Sequence, residues 1–362
     1  MVVVSSSLWE GFLKAGYALM DRGYVPDFVV RFFSRLLLRE TLAERDQGGV
    51  EDREEKLNSM VKQLKSMPIA IKTGDANEQH YEVPTEFFLR VLGPHLKYSC
   101  CLYKQEGDSL ADAEENMLEL YCERADLEDL REGASILDLG CGWGSLSLYL
   151  AKKYPKVSIT SLSNSTTQRN YIVGRAKEEG LGNLQVHTGD ISEFDSFGSE
   201  SFDRILSIEM FEHMKNYELL LEKLSRWLKP QGKLFVHIFS HVVHTYHYEV
   251  QGEGDWMTKY FFEGGTMPAH GLLLHFQKHL RVERTWHLNG KHYARTSRHW
   301  LELMDENKAE ILSDFASEKA YGPRGAYAWW MRWRVFFIAV EEMFAFDGGE
   351  QWGVSMYKFV KD

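Results

Sequence analysis

The run Ile136-Leu-Asp138-Leu-Gly140-Cys-Gly142-Trp-Gly144 limits what this chain can fold into more than any other stretch. Residues 134–139 read as a buried strand and 145–154 as a helix, so three glycines close a strand and open a helix. Glycine permits the tight turn and lets a ligand approach the backbone, while the helix start presents unpaired N–H groups. The alternation then continues. Strands are expected at 157–162, 184–187, 202–208 and 233–239, with helices at 166–179 and near 217–227. Repeated strand–helix alternation predicts an α/β fold, a parallel sheet covered on both faces, with ligands at the carboxyl ends of its strands.

The flanks read differently. Residues 5–66 have helical spacing, with Leu8, Phe12, Tyr17 and Leu19 in one group and 28–38 in another, separated by Pro26. The charged stretch 44–56, containing Gly48-Gly49, reads as a solvated turn. Residues 75–81 read as a polar loop and 108–125 as an amphipathic helix. Residues 240–280 interrupt the alternation as an insertion, and strands follow at 281–288 and 354–360 with helices between. The 362 residues therefore divide into an N-terminal helical region (1–125), a sheet core with its insertion (126–290) and a C-terminal region of helices and a last strand (291–362).

Charge narrows the partners. Lys and Arg number 42 against 53 Asp and Glu, a net charge of −11, which disfavours nucleic acid. The four cysteines lack metal-ligand spacing and suit a reducing compartment. No apolar run approaches the ~20 residues of a membrane span, and the opening residues lack the pattern of a secretory leader. A cytoplasmic protein without stable membrane association is expected, and a homodimer is compatible with the sequence.

The glycine turn admits two readings. A dinucleotide fingerprint needs a third small position that here falls on Ser145, and an acidic residue about 20 positions on. The second strand instead ends in Ser163-Asn164. The D-x-G-x-G-x-G spacing suits S-adenosylmethionine: backbone groups at Gly140 and Gly142, with Asp138, meet its methionine end. Asn164 and Gln168 are placed for the ribose, and Asp190 for the adenine amino group.

With that turn, Ser163-Asn164-Ser165 and the run Ile208-Glu209-Met-Phe-Glu212-His213-Met-Lys-Asn-Tyr217, the chain resembles the cyclopropane-fatty-acid-synthase-like class I methyltransferases. Within that group it is similar to the plant benzylisoquinoline (coclaurine-type) N-methyltransferases. Met117-Leu-Glu-Leu-Tyr-Cys-Glu-Arg124, Tyr246-His-Tyr-Glu249, Gly290-Lys-His-Tyr293-Ala-Arg-Thr296, Glu342-Met-Phe344 and Gly349-Glu-Gln-Trp352 extend the likeness over roughly residues 55–360. The resemblance implies a Rossmann-like methyltransferase sheet with an N-terminal helical extension and a lid insertion before the late strands. It implies S-adenosylmethionine-dependent methylation of a small amine, of isoquinoline or related arylalkylamine type. Glu209, Glu212 and His213 are the expected catalytic residues, binding the amine and taking its proton. Tyr98, Ser99 and Ile191 join the expected cofactor site, and Tyr81 falls where the family places a cap over the cofactor.

Three further features bear on the substrate. His237, His241, His244 and His247 cluster on and after the fifth strand, but without the Cys or helical partners of a metal site; His237 is expected nearest the substrate. E-x-x-E-H differs from the zinc motif H-x-x-E-H because position 209 is Glu. Trp329, Trp333, Phe336, Phe337 and Phe344 recur at helical spacing, as core residues do. Trp329, Trp330 and Phe337, with Tyr293, are expected to wall an aromatic pocket suited to a cationic amine. The alternative function is methylenation of unsaturated acyl chains. The lipid-modifying branch of the group uses a bicarbonate base, whose site maps onto Cys100, Glu212, His237 and Tyr293.

Overall fold

The computed structural model describes residues 6–71, 83–250, 252, 255–319 and 321–362. The predicted alternation is present as strands β1 (Ser135–Leu139), β2 (Ser158–Ser163), β3 (Leu184–Thr188), β4 (Phe202–Ile208) and β5 (Leu228–His241). Two short strands, β6 (Tyr246–His247) and β7 (Thr266–Met267), pair inside the insertion, and β8 (Arg281–Leu288) and β9 (Trp352–Val360) complete the set. The seven-stranded sheet runs β3-β2-β1-β4-β5-β9-β8. β1 to β5 are parallel, and β9 enters antiparallel between β5 and β8. The strand order reverses at β1/β4, the place where sheets of this kind bind ligands.

Eleven helices are present among the described residues: α1 (Ser6–Met20), α2 (Asp27–Arg45), α3 (Gly49–Ser66), α4 (Thr85–Val91), α5 (Leu110–Arg124), α6 (Ser145–Lys153), α7 (Thr166–Glu178), α8 (Tyr217–Trp227), α9 (Lys291–Glu306), α10 (Lys308–Ser317) and α11 (Gly322–Ala345). The charged stretch 44–56 is mostly helical rather than a turn; only Asp46 to Gly48 break the path, and Gly48 sits at φ +89°. Its charges lie on solvated helix faces, which sequence cannot tell from a loop.

Strand alternation divides the core in two. Ile136, Leu206 and Phe235 point to the side covered by α5 and α11, where Met117, Leu118, Tyr121, Trp333 and Phe337 are buried. Leu137, Ile205, Leu234 and Val236 point to the other side, against Leu220, Leu221 and Leu224 of α8. Burying each such side chain contributes about 1.5–3 kcal/mol.

Helix α2 attaches largely by charge. No residue of α2 is buried. Arg31 reaches Glu341 and Glu342 of α11 at 2.8 Å each. Arg35 also bonds Glu342, and Arg334 holds Asp27 at 2.6 Å. Burial alone would raise the Glu342 pKa, but the bonds from Arg35 and Arg31 outweigh it and hold the carboxyl below its ordinary value. A depressed folded pKa means the attachment is present near neutrality and is lost as pH falls through that value. Glu342→Gln should therefore weaken the α2 attachment by on the order of 1–3 kcal/mol. Amide exchange of α2 should accelerate in the variant, and in the wild type on acidification, while the exchange of β1 and β4 stays slow. Unchanged α2 exchange would refute the clamp.

Candidate active site

Gly140, Gly142 and Gly144 all have positive φ, at +80°, +51° and +83°. Their reasons differ. A Cβ on Gly140 would come within 2.7 Å of the Met210 side chain, and one on Gly144 within 2.7 Å of Ile172. These two allow close packing. At Gly142 nothing lies within 4 Å of that position. Its bare backbone faces a cavity at the carboxyl ends of the parallel strands, lined by Leu139, Gly140 and Gly142 at the end of β1, Leu162, Ser163 and Asn164 at the end of β2, and Gly189, Asp190 and Ile191 after β3. Gln168, Glu209, Met210, His213 and Met214 continue the wall, with Ile71, Glu263 and Gly264.

Most of the expected cofactor set is gathered here. Ser165 caps α7 through the Gln168 N–H, which turns the Gln168 side chain toward the cavity wall. Its Oε1 accepts from Ser163 Oγ at 2.7 Å, while its buried Nε2 has no partner among the described residues. Asp190 accepts from the Ser192 N–H and hydroxyl at 2.8 and 2.7 Å, which fixes the turn after β3. Asp138 lies one layer deeper. It is buried, accepts from Ser147 Oγ at 2.5 Å, and is pushed up to about 7 by burial. Its role in the structure is to tie the end of β1 to α6. Tyr98 packs between Phe88 and Trp300, and Ser99 bonds the Lys97 ammonium at 2.5 Å; neither lines the cavity.

Glu209 is the focus of the site. It ends β4 at φ +47°, a left-handed backbone that costs a non-glycine residue about 1–2 kcal/mol. Its carboxylate is almost fully enclosed. Oε1 accepts from the Cys100 backbone N–H at 3.0 Å and from His237 Nε2 at 3.0 Å, and Oε2 accepts from the Tyr293 hydroxyl at 2.6 Å. Tyr121 donates to His237 Nδ1 at 2.9 Å, leaving Nε2 as the protonated nitrogen. Burial opposes ionisation of Glu209, but the His237 bond, the buried Lys97 cation and the Cys100 N–H outweigh it and keep the carboxyl ionised. The same burial holds His237 neutral and, with the Glu209 charge, keeps the Tyr293 proton in place.

Its motif neighbours are placed differently. His213 lines the cavity, and burial with the Lys215 charge lowers it to about 4, so it is neutral at pH 7. Glu212 does not line the cavity. It is buried, Oε2 has no partner, and burial beside the Glu209 charge pushes its pKa well up, so it is a neutral acid. The residues after them are fasteners. The buried Lys215 ammonium bonds Gly265 O at 3.1 Å, Thr266 Oγ1 at 2.7 Å and His247 Nδ1 at 3.0 Å, latching the insertion beside Glu263 and Gly264. Asn216 caps α8 and donates to Lys65 O and Met67 O at 2.9 and 2.8 Å, drawing the end of α3 to the cavity.

The aromatic residues of α11 are not brought to the cavity. Phe337 is fully buried. The Trp329 face carries Arg332 at 5.1 Å and the Trp330 face carries Lys308 at 4.2 Å, so protein cations occupy the places expected for an amine. Tyr293 stacks on Phe344 and spends its hydroxyl on Glu209. Tyr81 lies outside the described residues. Of the other histidines, His241 accepts from the Val243 and His244 N–H groups and His244 meets Asp46 at 3.1 Å. Sequence reading missed Ile71, Met210, Met214, Glu263 and Gly264 on the cavity. Only Glu263-Gly264-Gly265, an acid beside two glycines in an insertion, offered a signal.

The profile of the family described as mycolic acid cyclopropane synthetase matches residues 70–335. The chain belongs to this family. Among its relatives, an (S)-coclaurine N-methyltransferase of Thalictrum flavum subsp. glaucum is 38% identical over 94% of both chains. A cyclopropane-fatty-acyl-phospholipid synthase of Escherichia coli (strain K12) is 30% identical over 85% of this chain and 76% of its own. A crystal structure of coclaurine N-methyltransferase bound to N-methylheliamine and SAH superposes with a TM-score of 0.91 at 36% identity, covering 96% of this chain and 99% of that one.

The cofactor of this family member is S-adenosylmethionine, and the cavity suits it. The unpaired Gln168 donor, the bare Gly142 backbone and the carboxylate of Asp190 lie on one wall. A side chain at position 142 would project into the cavity rather than into the core. Gly142→Ala should fold with a stability loss of about 1–2 kcal/mol from its left-handed backbone. Its affinity for S-adenosylhomocysteine should fall more than about tenfold by calorimetry, some 1.4 kcal/mol; wild-type affinity would remove the glycine from the site.

Proposed function

We propose that the chain transfers the methyl group of S-adenosylmethionine to the nitrogen of a small amine of isoquinoline or related arylalkylamine type. The observation that carries this reading is the ionised Glu209 carboxylate on the cavity wall, held by three donors. A carboxylate offers about four acceptor positions. Three are used by Cys100, His237 and Tyr293, which leaves one on Oε2 for a substrate N–H. Among the described residues, the cavity wall has three carboxylates, Asp190, Glu209 and Glu263, and neither Lys nor Arg, a field that favours a cation. The coclaurine-type relatives support the amine class.

S-adenosylmethionine supplies an electrophilic methyl group when bound. The work of the chain is to hold the amine. Glu209 Oε2 accepts the amine N–H and so turns the nitrogen lone pair toward the cofactor side of the cavity; orientation of this kind is a large part of such rate enhancements. The methylated nitrogen leaves as the ammonium, since a ring held near 4 is too weak a base to take its proton; the neutral His213, also on the wall, is a second acceptor that orients the amine. Glu212, neutral and off the wall, supports the turn and is given no proton to carry. Of the three residues the sequence suggested for the amine, Glu209, Glu212 and His213, this reading keeps Glu209 and His213 at the amine and leaves Glu212 away from it.

The bicarbonate alternative is disfavoured by the same geometry. Three of the four groups that would hold the ion, Cys100, His237 and Tyr293, converge on a carboxylate that the protein itself provides. Glu209→Gln should lower kcat/KM by about 10²–10⁴-fold, with S-adenosylhomocysteine binding retained. Glu212→Gln should stay within about tenfold of wild type, since it replaces a neutral acid by a neutral amide. Cys100→Ala should be nearly silent, because Cys100 meets Glu209 through its backbone N–H while its thiol bonds Cys101 O at 3.4 Å. Turnover of amines should not depend on added bicarbonate. Bicarbonate-dependent turnover of phospholipid, with none of any arylalkylamine, would reverse the assignment.

The pH profile gives a separate test. Glu209 is held below its usual range and His213 near 4, so these two wall groups stay deprotonated from about pH 5 upward. Asp138, at about 7, titrates inside the window, so a fall of kcat/KM between pH 5 and 8 comes from protonation of the free amine only where it moves with the amine. Two amines of different basicity should show acid limbs displaced by the difference in their own pKa values. Coincident limbs would instead assign the ionisation to the enzyme.

A further inference from the structure

A second cavity, of about 220 Å³, lies where α2 and α3 meet the start of the insertion. Arg45 at the end of α2, Arg53, Lys56 and Leu57 of α3, and Val243 and Thr245 after β5 are among its walls. Its charge is the reverse of the first cavity's: among the described residues, three cations face one carboxylate, Glu44. Two of the cations have carboxylates of their own. Arg53 stands 3.5 Å from Asp46, and Lys56 2.5 Å from Asp52. Arg45 differs. Its Nε is buried without a partner among the described residues, and no described carboxylate pairs with it. Arg31, Arg332 and Arg334 of the same helical layer each meet one. The Arg45 guanidinium lies over the Tyr246 ring at 3.6 Å, and Trp352 Nε1 fixes that ring by donating to its hydroxyl at 3.2 Å. A guanidinium held flat presents its N–H fork in one direction, and a cationic donor drawn out of water needs an acceptor. Thr245 Oγ1 accepts from the Ala269 N–H at 2.8 Å, which leaves the hydroxyl proton to donate.

We propose that this cavity binds a small organic oxyanion, a carboxylate or phosphate on a short carbon body, through the fork of Arg45, with Arg53, Lys56 and Thr245 as further donors. A planar guanidinium matches either oxyanion with two parallel hydrogen bonds. The carbon body follows from the space and the remaining walls. The volume exceeds the ~150 Å³ that holds a benzene ring, and Leu57 and Val243 offer apolar contact that a bare inorganic ion leaves unused. The bound anion joins the end of α2 to Thr245 and Tyr246. Tyr246 begins β6, whose partner β7 carries the Thr266 hydroxyl that Lys215 grips beside the first cavity. The ligand thus stiffens the insertion from outside the site of methyl transfer.

Calorimetry on the full-length chain, with S-adenosylhomocysteine saturating the first cavity, tests this with phenyl phosphate, benzoate and inorganic phosphate as probes. One organic probe should bind with a Kd below about 1 mM, and inorganic phosphate at least about tenfold more weakly. Arg45→Met keeps a stem on Tyr246 and should weaken the organic probe more than about tenfold; Arg45→Lys should lose nearly as much, because a point charge lacks the fork. Arg53→Gln, at a partly exposed position, should lose about threefold. The probe should raise the Tm of the wild type and not that of Arg45→Met. Phenyl phosphate binding ahead of benzoate identifies a phosphate ester and the reverse a carboxylate, and either order supports the site. If Arg45→Met does not fold, Arg45→Lys and Arg53→Gln decide. The proposal is overturned by no binding of either organic probe at about 10 mM, by wild-type affinity in the folded Arg45 variants, or by an equal loss in Lys65→Gln at the other end of α3, which would reduce the effect to general charge.

Discussion

A carboxylate removed from water keeps its charge only if the protein supplies donors in place of the water. Glu209 is such a group, and its donors come from distant parts of the chain: the Cys100 backbone after α4, His237 on β5 and Tyr293 on α9. A second layer stands behind them. Tyr121 on α5 sets the tautomer of His237, and the Lys97 ammonium bonds Ser99 and the Cys100 carbonyl. The sheet, the helix before it and the helix after β8 must all be in place before this carboxylate is stable. The site is thus also a test of correct assembly.

The motif that contains Glu209 joins chemistry and structure along one short stretch. Glu209 and His213 face the cavity, while Lys215 and Asn216, a few residues on, hold the insertion and the end of α3. Lys215 does this at the cost of burial, which lowers it to about 8. The spacing of this run is therefore set by a β4 end that must present a base, turn through one short helix and start α8, all within reach of two other segments. The cluster of histidines resolves into separate structural uses: His237 serves Glu209, His241 and His244 order a turn, and His247 meets Lys215.

The periphery follows other physics. The sheet is held by apolar burial on both faces. Helix α2, which has no buried residue, is held largely by guanidinium–carboxylate pairs such as Arg31 with Glu341 and Arg334 with Asp27. Such pairs keep their strength only where they are shielded from water and salt.

Much of this was legible in the sequence because it depends on local periodicity. The glycine turn, the strands β1 to β5 and the helices α6 to α8 are patterns of period two or 3.6 that one segment carries by itself, and the residues ending successive strands necessarily share an edge. Gly142, Gln168, Asp190, Glu209 and His213 meet for that reason. What only the tertiary structure decided is how side chains of equal chemistry divide their tasks. Asp138 and Asp190 both follow the strand pattern, yet one is buried against Ser147 and the other faces the cavity. Glu209 and Glu212 are three residues apart, yet one is an anion with three donors and the other a neutral acid with an unpaired oxygen. Trp329 and Trp330 have the right chemistry for a cationic substrate, but Arg332 and Lys308 take their faces. Sequence sets which groups are available; desolvation and the partners supplied by distant segments set their charge, and a single strand or helix carries no record of either.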